Sequence, residues 1–179
     1  MPRVLAHLNG DIELFKVAMA YTATVRGIPQ FYYGSEVLLA GPRERNDGEL
    51  RADMPGGWAG DAGNAFTGKG LSAAQRDAQQ YLRTLFNWRK RTPVVQHGKL
   101  QHFAPADGVY VYFRYDGTDT VMVALNKNPG AASLALDRFG DFIKSGSRGR
   151  DIFSGTDVAL DGPLQLPGQS ATILEIAPR

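Results

Sequence analysis

The sequence predicts an α+β chain in which part of a βα barrel precedes an antiparallel β-sandwich. A helical pattern ends at Gly27, where glycine adopts the left-handed C′ conformation without steric cost. Six mostly apolar residues follow, Ile28–Tyr33, and such a run between glycines is typical of a strand buried on both faces in a parallel sheet. After Pro93 the hydrophobic period changes from about 3.6 residues to about 2, which indicates strands.

Composition permits a globular core and argues against several classes of partner. The chain has 179 residues, of which 43% are hydrophobic and 21% charged, enough for one domain or somewhat more. Because the 20 basic residues are scattered and offset by 18 acidic ones, we expect no nucleic-acid partner. No apolar run is long enough to span a membrane, so no membrane partner is expected. Without cysteine, and with three histidines at no metal-ligand spacing, we expect neither a metal nor a cofactor.

The first predicted element is a helix that Asn9 or Asp11 caps and that runs to about Arg26. Its apolar arc is wide, as expected for a helix that lies on a sheet and touches neighbours on both sides. The predicted strand Ile28–Tyr33 comes next, and Gly34 then turns the chain.

Residues 35–71 are predicted to form a long loop, because glycine is frequent and hydrophobic periodicity is lost. A loop of this length in a compact protein is usually functional or disordered. Aromatic residues such as Trp58 and Phe66 argue against disorder. We therefore expect an ordered loop that covers a site at the carboxyl end of the barrel strand, where such barrels place their active sites.

A second helix is predicted from the capping box Ser72–Gln75 to about Lys90, and Thr92-Pro93 ends it. We place the domain boundary there, with residues 1–93 as the barrel portion and 94–179 as the β-sandwich. Seven or eight short strands with Asp-Gly turns between them predict the sandwich. The predicted strands are Leu100–Phe103, Gly108–Tyr115, Thr120–Asn126, Ala131–Leu136, Arg150–Phe153, Pro163–Leu166 and Gln169–Ile176, with a short helix or turn near Arg138–Lys144.

Several motifs carry a resemblance to a known family. The segment GIPQFYYGSE fits a G-[IT]-P-x-x-Y-Y-G-x-E pattern through Gly27, Ile28, Pro29, Tyr32, Tyr33, Gly34 and Glu36. The helix ending in NWRKRTP is followed by VVQHGKLQHFAPADGVYVYFRY and TVMVALNKN. In this order the motifs resemble the C-terminal part of an α-amylase superfamily enzyme of glycoside hydrolase family 13. The likeness is greatest to neopullulanase and cyclomaltodextrinase-like members, particularly of Bacteroides type.

The resemblance implies that the chain is the last helix–strand–helix of a (β/α)8 barrel plus the complete C-terminal sandwich. The family's three catalytic carboxylates would then precede Met1. Arg3 would lie near the catalytic centre of the full-length enzyme, and the alternative is a frayed chain start. We therefore expect no catalytic residue here and no activity from the chain alone. The full-length enzyme would act on α-1,4 or α-1,6 links of starch or maltooligosaccharide, as a hydrolase or a transglycosylase, in the periplasm or outside a bacterium.

The resemblance also suggests substrate contacts in the long loop. Asp47 and Arg51 are similar to a D-P-x-x-R pair that contacts sugar hydroxyls, since a carboxylate accepts and a guanidinium fork donates. The alternative is an intraloop salt bridge. Trp58 is a candidate for stacking on glucose, and the alternative is a loop anchor. Tyr33 and Glu36 are candidates for supporting the active-site floor, with barrel packing as the alternative.

Two further alternatives concern function and solution state. The loop acids Asp47, Glu49 and Asp53 are better interpreted as solvated charges than as a catalytic pair, because glycine-rich loops hold carboxyls loosely. The rival function is a free-standing carbohydrate-binding or structural β-sandwich module. Because an isolated barrel strand exposes unpaired edges, we also expect the chain to self-associate.

Overall fold

The structure is a computed structural model that describes residues 3–41 and 47–177. Its helices are α1 (Val4–His7), α2 (Ile12–Thr24), α3 (Asp47–Leu50), α4 (Ala73–Lys90) and α5 (Pro93–His97), with 3₁₀ turns at Ser35–Val37 and Asp137–Phe139. Its strands are β1 (Lys99–Ala106), β2 (Val109–Tyr115), β3 (Thr120–Asn126), β4 (Ala132–Leu134), β5 (Arg148–Asp151), β6 (Asp157–Ala159), β7 (Leu164–Leu166) and β8 (Ser170–Ile176). Within the described ranges, no helix is both long and apolar enough for a membrane span.

Both long helices begin where the sequence predicts. The Asp11 carboxylate accepts a hydrogen bond from the Leu14 N–H at 3.0 Å, so Asp11 rather than Asn9 is the cap of α2. The Ser72 hydroxyl accepts from the Gln75 N–H at 3.1 Å, and the Gln75 side chain accepts from the Ser72 N–H at 2.9 Å. This reciprocal pair confirms the predicted capping box of α4.

Pro93 ends one helix and begins another. Helix α4 stops before Thr92, as predicted, but Pro93 then occupies the first turn of α5, where its missing N–H costs nothing. Val94 and Val95 of α5 are buried in the same core as α2 and α4. The predicted domain boundary thus passes through a short helix that the sequence analysis did not anticipate.

The C-terminal region is antiparallel throughout, as the sequence predicts. Six strands form one sheet in the order β1-β2-β3-β8-β5-β6, and β4 pairs with β7 in a second, two-stranded sheet. Strand β2 lies between β1 and β3 and pairs with β3 along its whole length. The sandwich is therefore unequal, since one of its sheets has only two strands, and β6 is a strand that the sequence analysis missed.

Both faces of the large sheet are covered. One face packs on the β4–β7 ribbon through the buried side chains of Val109, Val111, Phe113, Met122, Leu164, Leu166 and Leu174. The opposite face packs on the helices through Phe15, Leu85, Trp88, Tyr112, Val121, Val123 and Ile173. Side chains on β2 alternate between these two cores, so the tyrosine at position 112 is a core residue.

The predicted strand Ile28–Tyr33 does not form in the described structure. The segment joins no β-ladder, and the Ile28 side chain is 97% exposed. Phe31 nevertheless packs on Phe86 of α4, with ring centroids 4.5 Å apart. The prediction is wrong for this chain because a parallel strand needs neighbours on both sides, and every strand pair in the described residues is antiparallel and lies in residues 99–176.

The described part of the long loop is ordered, as expected. Val37, Ala65 and Leu71 are buried together, with Leu39 and Met54 packed against them. The side chain of Gln75 in α4 donates to the Val37 carbonyl at 3.1 Å and so fixes the start of the loop to the helix. Residues 42–46 lie outside the described part of the loop.

Candidate functional site

Arg3 lies at the centre of the candidate site, so the alternative of a frayed chain start is wrong for this residue. Its side chain is only 6% exposed. The Nε atom donates to the Leu50 carbonyl at 2.9 Å, and Nη1 donates to the Tyr33 carbonyl at 2.6 Å. The guanidinium also lies over the rings of Tyr32 and Tyr33, 4.8 and 5.1 Å from their centroids. One buried cation thus connects α3 to the segment before Gly34.

Asp47 and Arg51 form an ion pair across one turn at α3. The Asp47 Oδ2 and Arg51 Nη2 atoms are 3.7 Å apart, and both side chains are largely exposed. This is the intraloop salt bridge that the sequence analysis kept as the alternative to sugar contact. An exposed pair of this kind stabilises a fold by less than about 1 kcal/mol. The position of the two groups in the site is therefore more informative than their contribution to the stability of the fold.

The pair lines a cavity of about 440 Å³ together with Arg3. Polar groups from α2 and from the segment after it contribute to the wall, and the apolar part comes from α1, α2, α3 and Phe31. The described lining residues are Arg3, Val4, Met19, Thr22, Gln30, Phe31, Tyr32, Ser35, Asp47, Leu50 and Arg51. The structure therefore brings two of the three predicted sugar contacts to one cavity.

Tyr33 and Glu36 lie beside a neighbouring cavity of about 410 Å³, between the segment 29–36 and α4. The Tyr33 hydroxyl donates to the Ala52 carbonyl at 3.1 Å, which links the segment to the long loop. Desolvation, together with the neighbouring Tyr32, raises the pKa of Tyr33. Glu36 is half-buried in the 3₁₀ turn Ser35–Val37.

Trp58 is 68% exposed, so burial against the body of the protein does not hold it. Its indole N–H donates to the Asp53 carboxylate at 3.0 Å, and its backbone N–H donates to Asp61 at 3.2 Å. These two carboxylates fix the ring while leaving it open to solvent. Trp58 is not among the described residues that line the Arg3 cavity.

Two arginines that the sequence analysis did not single out hold the end of α2. Arg89 donates to the Ala23 carbonyl at 2.7 Å and to the Gly27 carbonyl at 3.3 Å. Arg114 donates to the Thr24 carbonyl at 2.9 Å. Burial lowers the pKa of both guanidinium groups. The carbonyls of Ala23 and Thr24 lie at the negative end of α2, where a cation is favourable. The bond from Arg89 to the Gly27 carbonyl ties the residues after the helix to α4.

Carboxylates and histidines form no metal site in residues 3–41 and 47–177, where no three of them are placed to hold an ion. The arrangement instead offers hydrogen-bond donors, one exposed ion pair and one exposed aromatic ring. Such groups bind polyhydroxylated or anionic molecules and do not by themselves supply the closely spaced carboxyl pair of a retaining glycosidase.

Comparisons with known proteins find one family model and several relatives that are similar to part of the chain. The family described as "Cyclo-malto-dextrinase C-terminal domain" matches residues 100–175. A cyclomaltodextrin glucanotransferase of Bacillus sp. (strain 38-2) is 32% identical over 120 residues, which are 67% of this chain and 14% of the relative. A cyclomaltodextrinase of Geobacillus thermopakistaniensis (strain MAS1) is 28% identical over 75% of this chain and 21% of the relative. The chain thus matches only a small part of each relative's length.

Solved structures extend the likeness over nearly the whole chain. An α-amylase from Anoxybacillus matches 98% of this chain and 35% of its own length, with a TM-score of 0.76 at 23% identity. An α-amylase from Geobacillus thermoleovorans, solved with acarbose, matches 96% of this chain and 35% of its own length, with a TM-score of 0.74 at 22% identity. At these identities the match establishes a shared fold.

Proposed function

We propose a function from the relationship of the chain to the C-terminal part of α-amylase superfamily proteins of glycoside hydrolase family 13. The match to the cyclo-malto-dextrinase C-terminal domain at residues 100–175 is part of that relationship. The chain is the C-terminal portion of an enzyme that acts on α-glucans, either starch or maltooligosaccharides. The catalytic carboxylates belong to a part of that enzyme outside this chain, so the chain alone is inactive.

The extent of the structural match carries this proposal. The α-amylase folds match 96% and 98% of the chain, and therefore include most of the helical region that precedes the matched domain at residues 100–175. A free-standing β-sandwich would have no need of α2, the segment Ile28–Tyr33 or the long loop. Their presence in the shared fold favours part of a larger enzyme over an independent binding module.

Ile28–Tyr33 is the last strand of a (β/α)8 barrel in the proposed enzyme, between α2 and α4. Two features of the isolated segment support this role. It has the composition of a buried strand, and yet it joins no ladder and leaves Ile28 almost fully exposed. Barrel neighbours would pair its backbone and cover that side chain.

The loop residues supply substrate contacts in this proposal. The Asp47 carboxylate accepts from a sugar hydroxyl and the Arg51 guanidinium donates to its neighbour, because the pair presents both functions at the mouth of one cavity. Trp58 offers an exposed, fixed ring for stacking on a glucose face. Tyr33 and Glu36 hold the floor beside them, Tyr33 through its bond to the loop carbonyl of Ala52.

Titration of the purified chain with maltoheptaose tests the proposal, with Trp58 fluorescence and amide NMR shifts as readouts. We expect weak binding, with a Kd on the order of 1 mM, because only one side of the sugar site is present. Trp58→Ala should abolish the NMR shifts around Asp47 and Arg51. The matched control is Phe66→Ala, which removes another aromatic ring that is 73% exposed in the same loop and should leave binding unchanged.

Two results would contradict the proposal. Micromolar binding of maltoheptaose by the isolated chain would favour the free-standing carbohydrate-binding module. Release of reducing sugar from maltoheptaose or starch by the purified chain would show that it contains its own catalytic carboxylates.

Self-association is a further part of the proposal. The exposed Ile28 and Tyr32, beside an unpaired backbone segment, form an apolar edge that water does not favour. We expect a second copy to cover this edge at high concentration, which light scattering measures.

A further inference from the structure

Helix α4 reaches the long loop with three side chains from its first two turns. Gln75 and Arg76 donate to loop carbonyls near the two ends of the loop. The amide of Gln79 donates to the Ala65 carbonyl, within the loop, at 2.7 Å. Ala65 is only 4% exposed, and a buried carbonyl that loses its donor is costly. The Gln79 bond is therefore a fixed point for the middle of the loop.

Ala65 is in turn joined to the turn that carries Trp58. Its N–H donates to the Pro55 carbonyl at 2.9 Å, so both backbone polar groups of this buried residue are engaged. A Cβ atom at Gly56 would lie 2.6 Å from the Asn64 Cγ atom, so the backbone of the turn packs directly against the residue before Ala65. One polar and one steric contact thus connect the residue that Gln79 anchors to this turn.

The same turn determines where the Trp58 ring lies. The Asp61 carboxylate accepts from the N–H groups of Gly56 and Trp58 at 2.7 and 3.2 Å, and the Asp53 carboxylate accepts from the indole N–H at 3.0 Å. Because Trp58 is 68% exposed, these bonds hold the ring more than packing does. A ring that is held before a ligand arrives loses less entropy on binding.

We propose that Gln79 is a positioning residue for sugar binding, since its bond to Ala65 fixes the turn that presents Trp58. The inference rests on the proposed function, which supplies the stacking of Trp58 on glucose. It adds to the site a residue of α4 that does not itself contact the sugar. The amide acts as a donor held at hydrogen-bond distance from one loop carbonyl.

The mobility of the Trp58 indole tests the positioning role without any ligand. The chain has two tryptophans, and the buried Trp88 indole, which donates to Glu175 at 2.7 Å, is the internal reference. Gln79→Met keeps the length of the side chain but removes the donor. It should lower the ¹⁵N heteronuclear NOE of the Trp58 indole, which reports fast motion, and leave that of Trp88 unchanged.

Two further variants separate the hydrogen bond from a general effect on α4. Gln80→Met is the matched control, because Gln80 is exposed and its amide donates to Thr84 within the helix at 3.3 Å. It should leave both indole signals unchanged. Gln79→Lys restores a donor at this position and should recover the Trp58 signal. An unchanged Trp58 indole in Gln79→Met, or an equal change at Trp88, would overturn the proposal.

The affinity for maltoheptaose connects the mobility of the ring to binding. Gln79→Met should weaken binding about three- to tenfold, because one side chain is then ordered on binding and not beforehand, whereas Gln80→Met should not. Equal Kd values for Gln79→Met and the parent, with a mobile Trp58 indole, would overturn the role in sugar binding. A parent chain that binds no maltoheptaose would instead refute the sugar contacts of the proposed function, and the indole measurement would still decide whether Gln79 positions Trp58.

Discussion

Two segments with similar strand-like sequences have opposite structures in this chain. Strand β2 and the segment Ile28–Tyr33 are both rich in aromatic and β-branched residues. Strand β2 pairs with neighbours on both sides and is buried on both faces. Ile28–Tyr33 joins no ladder, and its first side chain is almost entirely in water.

The difference shows that a strand-forming composition is not sufficient for a strand, because the segment also needs partners with which to pair. The partners of β2, which are β1 and β3, lie within twenty residues of it, so its hairpins close locally. A parallel barrel strand has no such local partner, because its neighbours are separated from it by helices. The chain around Ile28–Tyr33 is instead held at its ends, by Arg89 on the Gly27 carbonyl and by Arg3 on the Tyr33 carbonyl.

The largest expected effect comes from Arg114, which joins β2 to the end of α2. Arg114 on β2 is fully buried and donates to the carbonyls of Thr24, Gly98 and Lys99. Arg114→Met should lower the free energy of unfolding by about 3–5 kcal/mol, because several buried carbonyls lose a charge-assisted hydrogen bond. Urea unfolding followed by circular dichroism measures this.

The control for that prediction is Arg150→Met on β5, where the arginine is exposed and pairs loosely with Asp157 at 3.8 Å. We expect a change within about 0.5 kcal/mol. Equal losses for the two variants would mean that Arg114 does not join the helices to the sheet.

A matched pair of substitutions addresses the two segments directly. Val111→Ala on β2 should cost about 2 kcal/mol, since it removes buried methyl groups and leaves a small cavity. Ile28→Lys should change stability by less than about 0.5 kcal/mol, because the side chain is already 97% exposed.

The two substitutions should affect self-association in the opposite order, with the larger effect from Ile28→Lys. Ile28→Lys places a charge on the unpaired edge and should lower the average mass in light scattering, whereas Val111→Ala should leave it unchanged while the protein is folded. A substantial loss of stability in Ile28→Lys would show that the segment is covered by the chain itself.

A smaller loss of stability than that of Val111→Ala is expected at Tyr112, the β2 side chain that reaches α2. Its hydroxyl lies 2.5 Å from Thr24 Oγ1, which in turn donates to the Ala20 carbonyl at 2.6 Å. Tyr112→Phe should cost about 1 kcal/mol at neutral pH, where the tyrosine is protonated in both states.

Alkaline pH should reverse this small difference. Burial raises the pKa of Tyr112 well above the value of about 10 that it has in the unfolded chain. Above pH 10 the unfolded state therefore binds fewer protons than the folded state, and stability falls by up to about 1.4 kcal/mol per pH unit. The free energies of unfolding of the parent and of Tyr112→Phe should therefore become equal at about pH 11. A difference between the two free energies of unfolding that stays constant across this pH range would contradict the burial of the Tyr112 hydroxyl.

The sequence was informative wherever structure depends on neighbours along the chain. The Ser72–Gln75 capping box and the bounds of β3 were predicted, and Asp11 was one of the two predicted caps of α2, because caps, turns and alternation are local signals. Strand β6 was missed because Val158 is its one large apolar residue, so Asp157–Ala159 shows no alternating pattern. The unpaired state of Ile28–Tyr33 could not be read from those residues, since it depends on which strands are available to it.

The candidate site was predictable only in part, for the same reason. A motif located Asp47 and Arg51, and the structure brings both to one cavity. The burial of Arg3 and its contacts with Leu50 and Tyr33 span 47 and 30 residues, and no spacing rule indicates them. Arg89 and Arg114 likewise act on carbonyls far along the chain, so their role appears only in the folded protein.

Native-state amide hydrogen exchange tests the central contrast most directly. We predict that the amides of Val111 and Phe113 exchange at least about a hundredfold more slowly than those of Ile28 and Phe31, which approach the rate of an unstructured peptide. Comparable protection of the two segments would contradict the account, because it would require hydrogen-bonded neighbours for Ile28–Tyr33 within this chain.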